Sequence, residues 1–274
     1  MQSGYSSLQE QAKKFHESCQ LEEALPLYRK LYSSAISSNS LTSELLDDYA
    51  DLCSSLGDFD LSIQLYTQSI QLFPLVNPSK YFSYAQLVCG QESVEMYLKG
   101  IAISGETERS QVAAAYSALV EIYMTDLCDH PQAENNCEEY IRKAIETYEL
   151  CMDAYLALSN LRLIRARIPE AKEALQKLKI VIENCGTENL PSCDFLSQAC
   201  KNAIECEDFE ILEFFTEVGL SIDESNIDLC YLRGFALAKL GHKDEALDTL
   251  NQLLSKDISL ELKEAAEEII STLD

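Results

Sequence analysis

The sequence predicts an all-α protein, a right-handed solenoid of about seven helical hairpins closed by a C-terminal capping helix. Three observations carry that reading. Chain breakers are scarce, with 9 Gly and 6 Pro in 274 residues; apolar residues make up 47% of the chain; and one helix-pair pattern recurs along nearly its whole length. So few turn residues argue against sandwiches and barrels. The apolar content excludes a mainly disordered chain, because burial can offset the entropy of ordering.

The repeat is clearest in two places. Leu46, Tyr49, Ala50 and Cys53 are followed by Ser62, Tyr66, Ser69 and Pro74, and Cys230, Gly234 and Leu237 are followed by Ala246, Leu250 and Leu253. In each, a small marker residue on a first helix precedes a small marker on a second by twelve positions. The same spacing joins Ala12 to Ala24, Ser159 to Ala171 and Ala199 to Ile211. Two further pairs have altered turns: Ala85 to Ser93 is four shorter and Val120 to Cys137 five longer. Small residues let paired helices approach closely. The large residues four places before the first marker (Leu8, Leu46, Tyr81, Tyr116, Tyr155, Phe195) fill the space between hairpins. Tyr28, Tyr66, Tyr97 and Phe215, four after the second marker, do the same from the other helix.

The repeats fall near 5–37, 43–76, 79–103, 111–148, 152–184, 192–221 and 227–256, so that 1–274 reads as a single solenoid. In 260–273, Leu262, Ala266, Ile269 and Leu273 share one face and acids the other, as a helix covering the last hairpin would. The pattern resembles the tetratricopeptide (TPR) repeat, although that family's tryptophan is absent and its glycine stands only at Gly234.

Lys and Arg number 21 against 46 Asp and Glu, a net charge of −25, which argues against a nucleic-acid partner. Met1–Glu10 is polar without a secretory apolar stretch, and no run of 18 apolar residues could span a membrane. The eleven cysteines form no C-x-x-C pair. Cys185, Cys193, Cys200 and Cys206 are spaced 8, 7 and 6 apart with no nearby His, which suits helix packing better than a metal site. A reduced, intracellular, monomeric protein without metal or cofactor is the expectation. No catalytic motif is present, and the three His lie in different repeats, so no enzymatic activity is expected.

In such hairpins the first helix lines the concave side. Its inner stripe falls six and three residues before the first marker and one and four after it. That stripe holds Glu44, Asp47, Asp51, Phe82, Glu121, Asp153, Asn160, Asp228, Tyr231 and Phe235, the candidate partner-binding residues. Of its 28 positions six are acidic and one basic. Glu44, Asp47 and Asp51 stack on one helix face and repel, so all three are expected exposed, with a basic partner relieving the strain. A merely solvated acidic face is the plainer alternative. Farther along, Leu156, Leu163, Leu196, Tyr231 and Phe235 suggest apolar anchoring of the same partner. Glu138, Glu139 and Glu146 are expected on an outward face. The residues three before each marker (Gln9, Asp47, Phe82, Ser117, Leu156, Leu196, Tyr231) include no Lys or Arg, which argues against a clamp for the acidic tails of heat-shock chaperones.

A more specific likeness lies in the fourth repeat. Leu119–Glu134, reading LVEIYMTDLCDHPQAE, with Cys137 and the long turn, resembles the dedicated assembly chaperones of large-subunit ribosomal protein four. That resemblance implies an acidic, non-enzymatic TPR chaperone that shields a newly made basic ribosomal protein, in cytoplasm and nucleus, with Glu121 and Asp126 as its candidate contacts. The other open reading is a scaffold subunit of a stable multiprotein complex.

Overall fold

The computed structural model describes residues 2–273, with side chains from residue 7 onward; the two ends of the expected span, 1 and 274, lie outside the described residues. Among them are fifteen α-helices and no strand. They are α1 Gln2–Glu17, α2 Leu21–Ser37, α3 Ser43–Ser55, α4 Phe59–Leu72, α5 Ser79–Leu87, α6 Gly90–Ile103, α7 Arg109–Met124 and α8 Ala133–Thr147. Then follow α9 Met152–Ile164, α10 Ile168–Asn184, α11 Cys193–Glu205, α12 Phe209–Ile222, α13 Ile227–Leu240, α14 Lys243–Leu254 and α15 Leu260–Leu273. Two compact units result, Met1–Glu134 and Asn135–Asp274, the division falling in the first turn of α8.

Local chemistry sets the helix starts. Thr42, Asp58, Ser192, Asp208 and Asn226 each accept a hydrogen bond from a backbone N–H in the first turn of the helix they precede. The core of the first unit is built on Tyr28, Leu31, Leu46, Leu52, Leu65 and Tyr66, that of the second on Leu175, Leu178, Leu196, Leu212, Phe215 and Leu229.

All the small markers are buried, and in the first unit two of the pairs are joined by hydrogen bonds. Ser62 Oγ donates to the Ala50 carbonyl at 2.8 Å and Ser93 Oγ to the Ala85 carbonyl at 2.7 Å, each bond joining the second marker to the first. A Cβ on Gly234 would meet Leu250 Cδ2 at 2.5 Å, so α13 and α14 touch where only glycine fits.

Where the paired markers stand twelve residues apart, the turn between the helices places one residue in the left-handed region. Cys19, Gly57, Ala166 and Gly241 fill that place, each seven residues after its first marker. The turn is closed as at Gly57, whose N–H donates to the Ser54 carbonyl (3.0 Å) while that of Asp58 reaches Cys53 (2.9 Å). In the sixth hairpin the left-handed residue is Glu207, eight after Ala199. The true marker pair there is Cys200 and Leu212, one residue beyond the expected Ala199 and Ile211. Ala199, Cys200 and Ala203 are all 0% exposed, so hydropathy alone could not fix the register.

The helix α15 caps as expected: Ala266 is fully buried against Leu250 and Leu253, with Ile269 beside it. Removing Leu260–Asp274 should uncover that cluster at about 25 cal/mol per Å² of apolar surface. The shortened protein should melt several degrees lower; an unchanged melting temperature would make the segment a tail. Ala166→Gly and Glu207→Gly should each stabilise the fold by about 0.5–1 kcal/mol, because a left-handed residue with a Cβ costs more than glycine's extra chain entropy. Denaturant midpoints shifted upward would show it, and midpoints shifted downward would refute it.

Candidate partner-binding stripe

Once the markers are pinned by close packing, helix geometry decides which first-helix positions remain open. Those six before and one after the marker do: Glu44, Asp51, Gln86, Glu121, Asp153 and Asp228 are exposed. The positions three before are covered in four helices, where Asp47, Phe82, Ser117 and Leu156 are each no more than 9% exposed, and half-buried at Gln9 and Tyr231. The corrected register of α11 puts Asp194 and Lys201 in open places and returns Leu196 to the core. Open-position chemistry is therefore six acids (Glu44, Asp51, Glu121, Asp153, Asp194, Asp228) with Lys13, half-buried, and Lys201. At these open positions, too, the few cations offer little to the acidic tail of a heat-shock chaperone.

The acidic trio of α3 has three separate fates. Glu44 is exposed and ion-paired with Lys13, whose Nζ also lies 3.3 Å from Asp48 Oδ2. Asp51 is open to solvent yet crowded by protein, and burial pushes its carboxyl above the usual carboxylate range, the hydrogen bond from the Tyr66 hydroxyl pulling the other way. Asp48 is raised for the same first reason, against the pull of Lys13. Asp47, expected exposed, is 3% exposed. Its Oδ2 accepts from Ser43 Oγ at 2.9 Å and Asn77 Nδ2 at 2.8 Å, while Oδ1 is buried without a hydrogen-bond partner.

Beside Asp47 lies a group that sequence reasoning missed. Lys80 is 1% exposed, and its ammonium donates to Ser43 Oγ and to Ser69 Oγ and carbonyl, all at 3.3 Å, and to the Phe73 carbonyl. Burial lowers its pKa and the Asp47 charge opposes that shift. Four polar partners thus hold one cation where α3, α4 and α5 meet. No signal marked it; Lys80 sits among polar turn residues (Asn77, Pro78, Ser79) and reads as a surface lysine.

Between α5 and α7, two adjoining cavities of about 260 and 300 Å³ share Gln86, Tyr97 and Ala118 as walls. Phe82 lines one, its ring stacked on Tyr97 at 6.1 Å, and Glu121 lines the other. Gly100 makes room for the ring, since a Cβ there would sit 2.5 Å from Phe82 Cε1. Asp126 is exposed, but its Oδ2 accepts the Gly90 N–H (3.0 Å) at the start of α6, which gives it a structural role.

In the second unit, Asp153 is exposed with its carboxyl raised by burial, and Asn160 accepts from buried Asn202. Asp228 is exposed. Tyr231 packs toward the cap, and Phe235 meets Phe209 edge-on at 5.9 Å with Lys239 Nζ 5.4 Å from its ring centre. Glu138, expected to face outward, is half-buried and ion-paired with Arg162 and Arg165, which hold its carboxyl low; Glu139 and Glu146 are exposed with Lys143 and Arg142. Burial pushes the Cys53 thiol up to about 11 and that of Cys200 up to about 12, which removes both as thiolates at neutral pH. Among the described residues no three His, Cys, Asp or Glu converge as a metal site, and no helix is long and apolar enough to cross a membrane.

These hairpins define a TPR-type helical-repeat protein, and the tetratricopeptide repeat model matches residues 227–255, the pair α13–α14. A TPR protein from Parabacteroides merdae shares the fold, with TM-score 0.58 at 15% identity over 99% of both chains. The chain is more particularly similar to assembly chaperones of rpl4. It is 28% identical over 227 residues (78% of this chain, 68% of the relative) to the "Probable assembly chaperone of rpl4" of Schizosaccharomyces pombe. With that of Emericella nidulans it shares 24% over 258 residues, 87% of this chain and 66% of the relative, just under two thirds of its length. The solved structure named Assembly Chaperone of RpL4 (Acl4) superposes with TM-score 0.74 at 22% identity, over 89% of this chain and 99% of that one.

Asp47→Ala and Lys80→Ala should each destabilise the protein by about 3–5 kcal/mol, because either change leaves a buried charge without its counterpart. Glu44→Ala should cost under about 1 kcal/mol, as an exposed ion pair. Urea denaturation of the three variants reads the difference; equal small losses at all three positions would show that Asp47 and Lys80 do not act as a buried pair.

Proposed function

We propose that this protein is a chaperone that binds and shields a newly made basic ribosomal protein during ribosome biogenesis, with ribosomal protein four as its client. It acts as a monomer in cytoplasm and nucleus, without catalysis and without direct contact to nucleic acid. The observation that carries the reading is the sign of the open stripe: six acids against Lys13 and Lys201, with Lys13 already paired to Glu44. The two fungal relatives named for rpl4 supply the client. Glu44, Asp51, Phe82, Glu121, Asp153, Asn160, Asp228, Tyr231 and Phe235 are the proposed contacts. Asp47 supports them from the core, and Asp126 by holding the start of α6. The same reading takes 1–274 as one solenoid, for which a single cooperative unfolding transition is the test.

A bound cation would offset the burial that raises Asp48 and Asp51, so part of the affinity comes from carboxylates that the fold alone leaves ill-solvated. Neutralising Glu44, Asp51 and Glu121 together (Gln, Asn, Gln) should weaken capture of purified ribosomal protein four at least tenfold and flatten its salt dependence. The same treatment of Glu139 and Glu146 should leave binding intact. Equal loss from both sets would mean that net charge alone attracts the client. Lysate pull-downs that return fixed stoichiometric partners and no ribosomal protein would favour the scaffold reading.

A further inference from the structure

A further cavity lies away from the acidic stripe. About 610 Å³ opens between α12 and α14, with α13 as its floor, and Glu217, Glu224, Arg233, Thr249 and Lys256 are among its walls. Arg233 stands two residues from both Tyr231 and Phe235, hence on the opposite side of α13 from the stripe. Its Nε is buried and has no hydrogen-bond partner. Lys256 Nζ meets Cys230 Sγ at 3.8 Å. Among the described residues neither cation lies within ion-pair distance of a carboxylate, although acids outnumber bases two to one in this chain.

An unmet guanidinium donor below a cavity calls for an acceptor, and a carboxylate matches its planar fork. Glu217 and Glu224 on the walls repel a polyanion or a phosphate dianion, and they favour a carboxylate that arrives with positive charges beside it. The volume lies within the ordinary range for ligand sites.

We propose that this cavity docks an extended peptide segment bearing one carboxylate between basic residues. The carboxylate sits on Arg233 and Lys256, and the bases on Glu217 and Glu224. The site is independent of the client-binding stripe and stands or falls apart from it.

The probe is the peptide Ac-Lys-Ala-Ala-Asp-Ala-Ala-Lys-NH2, titrated into the full chain and followed by amide chemical shifts. Its counterpart with Asn for Asp is one charge more positive, so unspecific attraction to a protein of net charge −25 would make it bind more tightly. The proposal expects the reverse, with the Asp peptide at least about fivefold tighter and shifts concentrated in residues 217–256. Arg233→Gln and, separately, Lys256→Gln should each weaken it by about the same factor without moving the melting temperature. Lys256 lies beyond the end of α14, so its variant keeps the test alive if the Arg233 change disturbs folding. Tighter binding of the Asn peptide, no saturable binding, or indifference to both substitutions would overturn the assignment. So would acetate alone reproducing the shifts at the same concentration, since that would describe a site for small carboxylates.

Discussion

The close approach of paired helices at their small residues is the constraint from which the remaining structure follows. Where the second marker is serine, its hydroxyl spans the gap to the partner helix's carbonyl, from Ser62 to Ala50 and from Ser93 to Ala85. Where both are very small, as at Gly234 and Ala246, a leucine side chain lies against bare backbone. Contact this tight leaves no freedom of helix rotation, because a turn of one residue would drive a larger side chain into the gap. Fixing the rotation fixes which faces meet the next hairpin and which meet water.

That is why three acids on one face of α3 behave so differently. Glu44, in an open position, keeps its hydration and pairs with Lys13 at small net gain. Asp51, also open, lies low enough that burial raises its carboxyl. Asp47, between them, is carried under the neighbouring hairpin, where two hydrogen bonds to one oxygen and the nearby Lys80 ammonium offset the cost of burying its charge. Stability therefore takes the middle acid and leaves the outer two open to solvent. A charge already committed to the fold cannot also be offered to a partner without unfolding cost.

The hairpins were legible because the marker spacing reports backbone geometry, which tolerates little variation. Five pairs at twelve residues located ten helices, and the cap was legible from its amphipathic face. What escaped were matters decided by a single residue of rotation or by a three-dimensional coincidence. The stripe rule assigned exposure by helical period and could not see that the position three before the marker is roofed by the next hairpin, which misplaced Asp47 and Leu156. Lys80 is held by groups from two separate segments, Ser43 at the start of α3 and Ser69 and Phe73 at the end of α4, and no local pattern reports such a meeting. Asp126 looked like a surface acid because its partner is a backbone N–H 36 residues away.

The one-residue slip in α11 matters most for what the stripe can recognise. With Ala199 as marker, this helix would contribute Cys193, Leu196, Cys200 and Ala203, an apolar run that seemed to continue through Leu156 and Leu163 toward Tyr231. With Cys200 as marker it contributes Asp194, Ser197, Lys201 and Ile204, while Leu196 and Leu156 belong to the packed interior. The remaining aromatic member, Phe235, already has Phe209 against its edge and Lys239 near its face. An apolar anchor at that end loses most of its seat. Acids instead recur at open positions of α3, α7, α9, α11 and α13, which favours, under the proposed function, basic residues of a client over a greasy end. Outside α3, which carries both Glu44 and Asp51, those acids sit one per helix, and under the proposed function they favour a segment whose cations are separated over a dense basic cluster, which would crowd Lys201 and Lys13 with like charge.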